Sequence, residues 1–149
     1  MSYANDMPTM TRTAESASEL RFSVTRLARR LRQQRADIGL GLTQVATLAT
    51  LDRHGSMTPS SLAEHERIQP PSMTRILGKL EEAGYVVRSA HPTDGRQHIV
   101  SLTDAAKQLL REDRRRKDAW LAQQMNELTA EERALLAQAT PILARLAQA

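Results

Sequence analysis

The chain has 149 residues, 40% of them hydrophobic, with 21 Lys and Arg against 17 Asp and Glu for a formal charge of +4; this length suits one domain, or a small domain with helical extensions, and a polyanion is a natural partner for the charge. It contains no cysteine, which excludes disulfide frameworks, thiolate metal sites, cysteine nucleophiles and thiol redox sensing in this chain. No stretch approaches the length of a membrane span, and the opening MSYANDMPTMTR lacks the basic-then-apolar order of a secretory signal, so the expectation is a cytoplasmic protein without a membrane partner.

In chain order, residues 1–12 are polar with no helical repeat and read as a flexible arm. A first helix is predicted from about Ser16, where Ser16 and Glu19 match a capping box. Leu20, Val24, Leu27 and Leu31 form one apolar stripe, and six arginines from Arg21 to Arg35 cover the remaining surface. Gly39-Leu40-Gly41 interrupts it. A second helix follows from about Thr43 to His54, with Gly55 suited to the left-handed cap. Thr58 and Pro59 open a short third helix ending near Glu66. The stretch QPPSMTRILGKLEEAG predicts a fourth helix over about 71–83, opened by Pro71 and terminated by Gly84. Met73, Ile76, Leu77 and Leu80 fall on one side of it, while Ser72, Arg75, Gly78, Lys79 and Glu82 lie across from them.

Two strands, about 85–90 and 97–102, flank HPTDGRQ, whose Asp94-Gly95 pair predicts a hairpin with a primed, positive-φ turn and Arg96 near its tip. Thr103 caps a fifth helix reaching beyond Trp120, and Thr129 with Glu132 forms a capping box for a sixth, in which Pro141 predicts a bend or break. The fold expected is mainly α with a small β-hairpin: a winged helix-turn-helix lobe over 42–102, and a helical region from 13–38 and 103–149.

In a winged helix-turn-helix the helix before the wing enters the major groove of DNA. Arg75 and Lys79 lie off the apolar stripe for that purpose, Gly78 removes bulk where a duplex would approach, and Ser72 and Thr74 carry hydroxyls for phosphates or base edges. The amides of the helix's first turn offer a further phosphate contact. Arg88 at the wing base, and Arg96 and Gln97 near its tip, complete the DNA-binding candidates, with Asp94 and Gly95 as wing-structural residues. Plainer readings stand beside these: Arg75 as a solvated helix residue, Arg96 as a salt-bridge partner of Asp94, and Arg88 as a support for Asp94. The run RRRK at 114–117 is diluted by Glu112, Asp113 and Asp118 and reads as a solvated helix face. His54, His65, His91 and His98 are scattered, so no metal site is assigned, and there is no nucleophile–base constellation or glycine-rich phosphate loop of an enzyme.

Residues 73–103 carry T-R-x-x-x-x-L on Thr74, Arg75 and Leu80, G-x-V-x-R on Gly84, Val86 and Arg88, and D-x-R-x-x-x-x-x-L-T on Asp94, Arg96, Leu102 and Thr103. With these motifs the chain resembles the MarR family of bacterial transcriptional regulators, and its helix order after the arm is similar too. The resemblance implies a homodimer bundled through helices one, five and six. It further implies double-stranded DNA with a near-palindromic site as partner, a wing arginine in the minor groove at Arg96, repression of transcription, and release by a small aromatic or anionic effector. Pro70-Pro71 departs from the polar residues many relatives carry before the recognition helix. No cofactor and no effector pocket is assigned. The competing reading is a winged-helix protein-interaction module without sequence-specific DNA binding, which needs no Arg75/Lys79 pair beside a wing arginine.

Overall fold

A computed structural model describes residues 7–35 and 38–149. Its elements run α1 (Met7–Gln33), α2 (Leu42–His54), α3 (Pro59–Glu66), α4 (Pro70–Glu82), β1 (Val86–Ala90), β2 (His98–Leu102), α5 (Asp104–Asn126) and α6 (Ala130–Gln148). The chain divides into two compact units, one made of 36–115 and the other of the residues up to Arg35 together with 116–149. The first half of α5 therefore belongs with the winged lobe rather than with the helical region expected from 103 onward.

The winged lobe has a single core. Leu48 and Leu51 of α2, Leu62 of α3, Met73, Leu77 and Leu80 of α4, Val86 of β1, Val100 of β2, and Ala106 and Leu110 of α5 are buried in one cluster. The turn between α3 and α4 is tight because Arg67 takes the left-handed conformation, φ 52°, and donates its N–H to the carbonyls of Ala63 and Glu64. Glycine is the usual residue there, since a Cβ disfavours this region. Asp52 of α2 and Arg114 of α5 form an ion pair across the lobe.

β1 and β2 are antiparallel, pairing Val86 with Leu102, Arg88 with Val100 and Ala90 with His98. Val86 and Val100 are buried, as period-two alternation requires. Met57 forms an isolated bridge to Val100, donating to its carbonyl at 3.2 Å and accepting from its amide at 2.9 Å. Thr103 closes the base of the hairpin, its hydroxyl donating to the Gly84 carbonyl at 2.7 Å and its amide to that of Tyr85 at 3.1 Å.

In the other unit, α6 begins at the expected capping box: Thr129 Oγ1 accepts from the Glu132 amide at 3.1 Å, and Glu132 Oε2 accepts from the Thr129 amide at 2.8 Å. The Arg133 guanidinium donates to the carbonyls of Met125 and Leu128, satisfying the end of α5. Trp120 is half-buried beneath the Arg30 guanidinium, 5.7 Å from the ring centroid. None of the described residues of this unit is fully buried. Leu20, Phe22, Val24 and Leu27 on α1, and Leu135, Leu136, Ile142 and Leu146 on α6, remain 43–63% exposed.

Two expectations change. Helix α1 starts at Met7, not near Ser16, so residues 7–12 of the expected arm are helical and residues 1–6 lie outside the described ones. The Ser16–Glu19 pair sits mid-helix, because nothing between Met10 and Ser16 breaks a helix and Pro8 falls in the first turn, where its missing N–H has no intrahelical acceptor. Helix α6 is also unbroken through Pro141. The carbonyl of exposed Ala137 loses its i+4 donor there and is within reach of water, which limits the cost.

Leu77 is fully buried on the inner side of α4. Leu77→Ala should lower stability by about 2–5 kcal/mol, read as an earlier midpoint in urea denaturation followed by circular dichroism.

Candidate nucleic-acid interface

Two consecutive prolines start α4. Gln69 precedes them in extended conformation, φ −63° and ψ 140°, without a side-chain cap bond. Pro70 and Pro71 have no N–H, and the Met73 amide is already bonded to the Gln69 carbonyl at 3.1 Å. Ser72 therefore supplies the one first-turn amide available to an anion, and the amide cradle expected at this helix start is reduced to a single donor. What this helix offers an anion is therefore mainly its side chains.

Burial of Met73, Leu77 and Leu80, with Ile76 half-buried, fixes the rotation of α4. Thr74, Arg75, Gly78 and Lys79 are consequently exposed, and Ser72 is half-buried. The Thr74 hydroxyl donates to the Pro70 carbonyl at 3.0 Å, which leaves its oxygen free to accept rather than donate. Arg75 and Lys79 are one helical turn apart with no ion pair among the described residues. A Cβ on Gly78 would meet nothing within 4 Å, so packing inside the chain does not require glycine there.

The wing loop is built differently from the expected primed turn. Asp94 to Gln97 form a four-residue turn closed by the Gln97 amide donating to the Asp94 carbonyl at 3.1 Å. Neither Gly95 nor Arg96 has a positive φ, and a Cβ on Gly95 would meet nothing within 4 Å. The turn therefore does not depend on glycine. It depends on side-chain acceptors. Asp94 Oδ1 accepts from the Arg96 amide at 3.0 Å, the local bond that Asp offers in tight turns. His91 Nδ1 accepts from the amides of Thr93 at 3.2 Å and Asp94 at 3.1 Å. Sequence reading passed over His91, although an acceptor side chain two and three residues before free amides is the same pattern that marks an Asp or Asn turn.

Arg88 and Arg96 part company. Arg88 Nε pairs with Glu81 Oε2 at 2.9 Å, tying β1 to the end of α4, so Arg88 supports neither Asp94 nor the wing tip. The Asp94 carboxylate bonds the Arg96 backbone, and the exposed Arg96 guanidinium has no ion pair among the described residues. The side chains of Gln97 and His98 are exposed on the same hairpin. The lobe thus brings Ser72, Thr74, Arg75 and Lys79 together on α4, sets Arg96 and Gln97 on the wing, and leaves Arg88 engaged between them. Among the described residues no cluster of three or more His, Asp or Glu could hold a metal ion, and no helix is long and apolar enough to cross a membrane.

Residues 40–98 match the MarR family. The chain is 40% identical over 133 residues to the HTH-type transcriptional regulator Mb0904 of Mycobacterium bovis, covering 89% of this chain and 93% of that protein. It is 33% identical over 111 residues to the HTH-type transcriptional repressor MdtR of Bacillus subtilis, covering 74% and 70%. The crystal structure of a candidate transcriptional regulator from Pseudomonas aeruginosa superposes with a TM-score of 0.82 at 37% identity, over 93% of this chain and 97% of that one. These proteins are regulators rather than enzymes, and the winged helix-turn-helix expected from the order of helices and hairpin is the fold observed. On sequence and fold alike, this chain belongs to the MarR family of helix-turn-helix transcriptional regulators.

Proposed function

We propose that the protein is a homodimeric repressor that binds double-stranded DNA in the cytoplasm at a near-palindromic operator. Helix α4 enters the major groove, with Arg75 and Lys79 on base edges and phosphates and Ser72 and Thr74 beside them. Arg96, with Gln97 beside it, enters the minor groove, where A·T-rich sequence narrows the groove and deepens its negative potential. Asp94 shapes the wing tip, and Arg88 acts through its bond to Glu81 rather than as a principal contact. The observation that carries this reading is the set of exposed cations on α4 and the wing, Arg75, Lys79 and Arg96, that have no carboxylate partner among the described residues. A protein-interaction module has no need of that arrangement.

The region 42–102 is the DNA-binding part in this reading. The helical region from 13–38 and 103–149 pairs the subunits, its pairing surface drawn from α1, α6 and the later half of α5. Support comes from α1 and α6, whose large apolar side chains stand exposed in a unit without a buried residue among those described; burying such a face is worth about 25 cal/mol per Å². Release of DNA would follow when a small aromatic or anionic ligand changes the separation of the two α4 helices, which must match half-sites about 34–36 Å apart.

Three measurements test these statements. Sedimentation at low micromolar concentration should show two chains; a stable, fully helical monomer would remove the dimer and the symmetric site with it. Titrating operator and base-substituted duplexes at several salt concentrations should separate two variants. Arg75→Ala should cost about 1–3 kcal/mol and relax preference at one position of each half-site. Arg96→Ala should weaken binding, reduce the salt slope by about one phosphate equivalent per wing, and dull the preference for flanking A·T. If both bind like the parent at every salt concentration, the groove assignments are wrong. Gly78→Ala should raise stability by about 0.5–1 kcal/mol while weakening DNA binding, and unchanged affinity would show that the duplex does not approach this turn of α4.

A further inference from the structure

The wing loop between β1 and β2 has seven residues, 91–97, and lacks the glycine conformation that would pre-form a shorter turn. A loop of that length leaves its tip free to sample many conformations unless its backbone amides are tied down, and that freedom would be lost on binding at a cost in affinity. Here almost all of them are tied down. The amides of Thr93 and Asp94 go to His91 Nδ1, that of Arg96 to Asp94 Oδ1, that of Gln97 to the Asp94 carbonyl, and that of His91 to the Gln97 carbonyl at 3.2 Å. Pro92 has no amide N–H, and that of Gly95 is the one left without a bond among the described residues. The Thr93 hydroxyl also lies 3.3 Å from His91 Nδ1. The bonds close a circuit from His91 to Asp94, to Gln97 and back to His91. Within it the Asp94 carboxylate sets the Arg96 backbone, and His91 sets Asp94.

From this circuit we propose that His91 is a positioning residue for DNA recognition: its imidazole, accepting at Nδ1, holds the wing tip so that Arg96 is presented to the groove before DNA arrives. The proposal rests on the reading of Arg96 as a groove contact. Accepting two amides requires a lone pair on Nδ1, so the working form is the neutral ring with its proton on Nε2. The requirement is for an acceptor, not for an aromatic ring. An asparagine places its Oδ1 the same number of bonds from Cα as Nδ1 stands in histidine, and asparagine forms this kind of turn bond readily. Phenylalanine keeps the ring's shape and offers no acceptor.

The test uses the full chain and a duplex selected by the wild-type protein from random-sequence DNA. His91→Phe should weaken specific binding about five- to tenfold, the scale of one or two lost hydrogen bonds, and His91→Asn should stay within about twofold of wild type. In an Arg96→Ala background His91→Phe should cost less than about twofold, because residues that act through one another are not additive. Amide hydrogen exchange at Thr93, Asp94 and Arg96 should quicken in His91→Phe and not in His91→Asn, with helical circular dichroism unchanged in both. If Arg96→Ala weakens binding and His91→Phe does not, the positioning role is wrong while the wing contact stands. If His91→Asn loses as much as His91→Phe, or if His91→Phe loses as much without Arg96 as with it, His91 acts directly on DNA and the inference is overturned. If Arg96→Ala binds like wild type, the wing contact fails and the inference goes with it.

Discussion

The recognition face of α4, and the base on which the wing stands, depend on the burial of one face of that helix. Met73, Leu77 and Leu80 are withdrawn from water against Leu48, Leu62, Val86 and Val100, each large side chain worth about 1.5–3 kcal/mol when fully buried. That packing allows one rotation of the helix. The polar side chains between those positions are then turned outward together, without any hydrogen bond among them to hold them there. Two prolines in the first turn make the helix start rigid but give up amide donors, so in the proposed interface Arg75 and Lys79 take the part that a helix terminus would otherwise play.

The hairpin is anchored to the same core and then departs from it. Val86 and Val100 lie in the core, and Thr103 ties the hairpin's base to Gly84 and Tyr85. Arg88 fastens β1 to Glu81 at the C-terminal end of α4. Beyond Arg88 only Ile99 of the strand residues is half-buried, and the loop must hold itself. It does so with side-chain acceptors at both ends of the tip, His91 before it and Asp94 within it. The result is a wing that is rigid at its base by packing and ordered at its tip by local polar bonds.

The second unit obeys a different constraint. A few long helices with no buried residue among those described cannot match, from their own contacts, the conformational entropy that ordering them costs. The apolar stripes on α1 and α6 make sense as surfaces meant to be covered, which is why the proposed dimer and the proposed spacing of two α4 helices belong to one argument. Within the unit, the α5–α6 corner is secured by the Thr129–Glu132 capping box and by Arg133 on the last carbonyls of α5.

Periodicity and punctuation by themselves determined the number, type and order of elements, the inner and outer faces of α4, and the capping boxes at Thr129 and before it the cap at Thr58, because these follow from bonds and burial within a few residues. The MarR motifs were legible for the same reason: they lie in one continuous stretch. Where α1 begins was not legible, since Ser16 and Glu19 suit a cap and a helix surface equally well and nothing local separates the two. The wing turn was misread because Asp94-Gly95 permits a primed turn without compelling one, and the choice was made by where the loop's amides find acceptors. Only the tertiary structure decided that Arg88 is claimed by Glu81 while Arg96 has no ion pair among the described residues. The motif resemblance already sets Arg96 apart as the wing arginine; what the folded chain adds is the Glu81 carboxylate within reach of Arg88, while that of Asp94 bonds the Arg96 backbone.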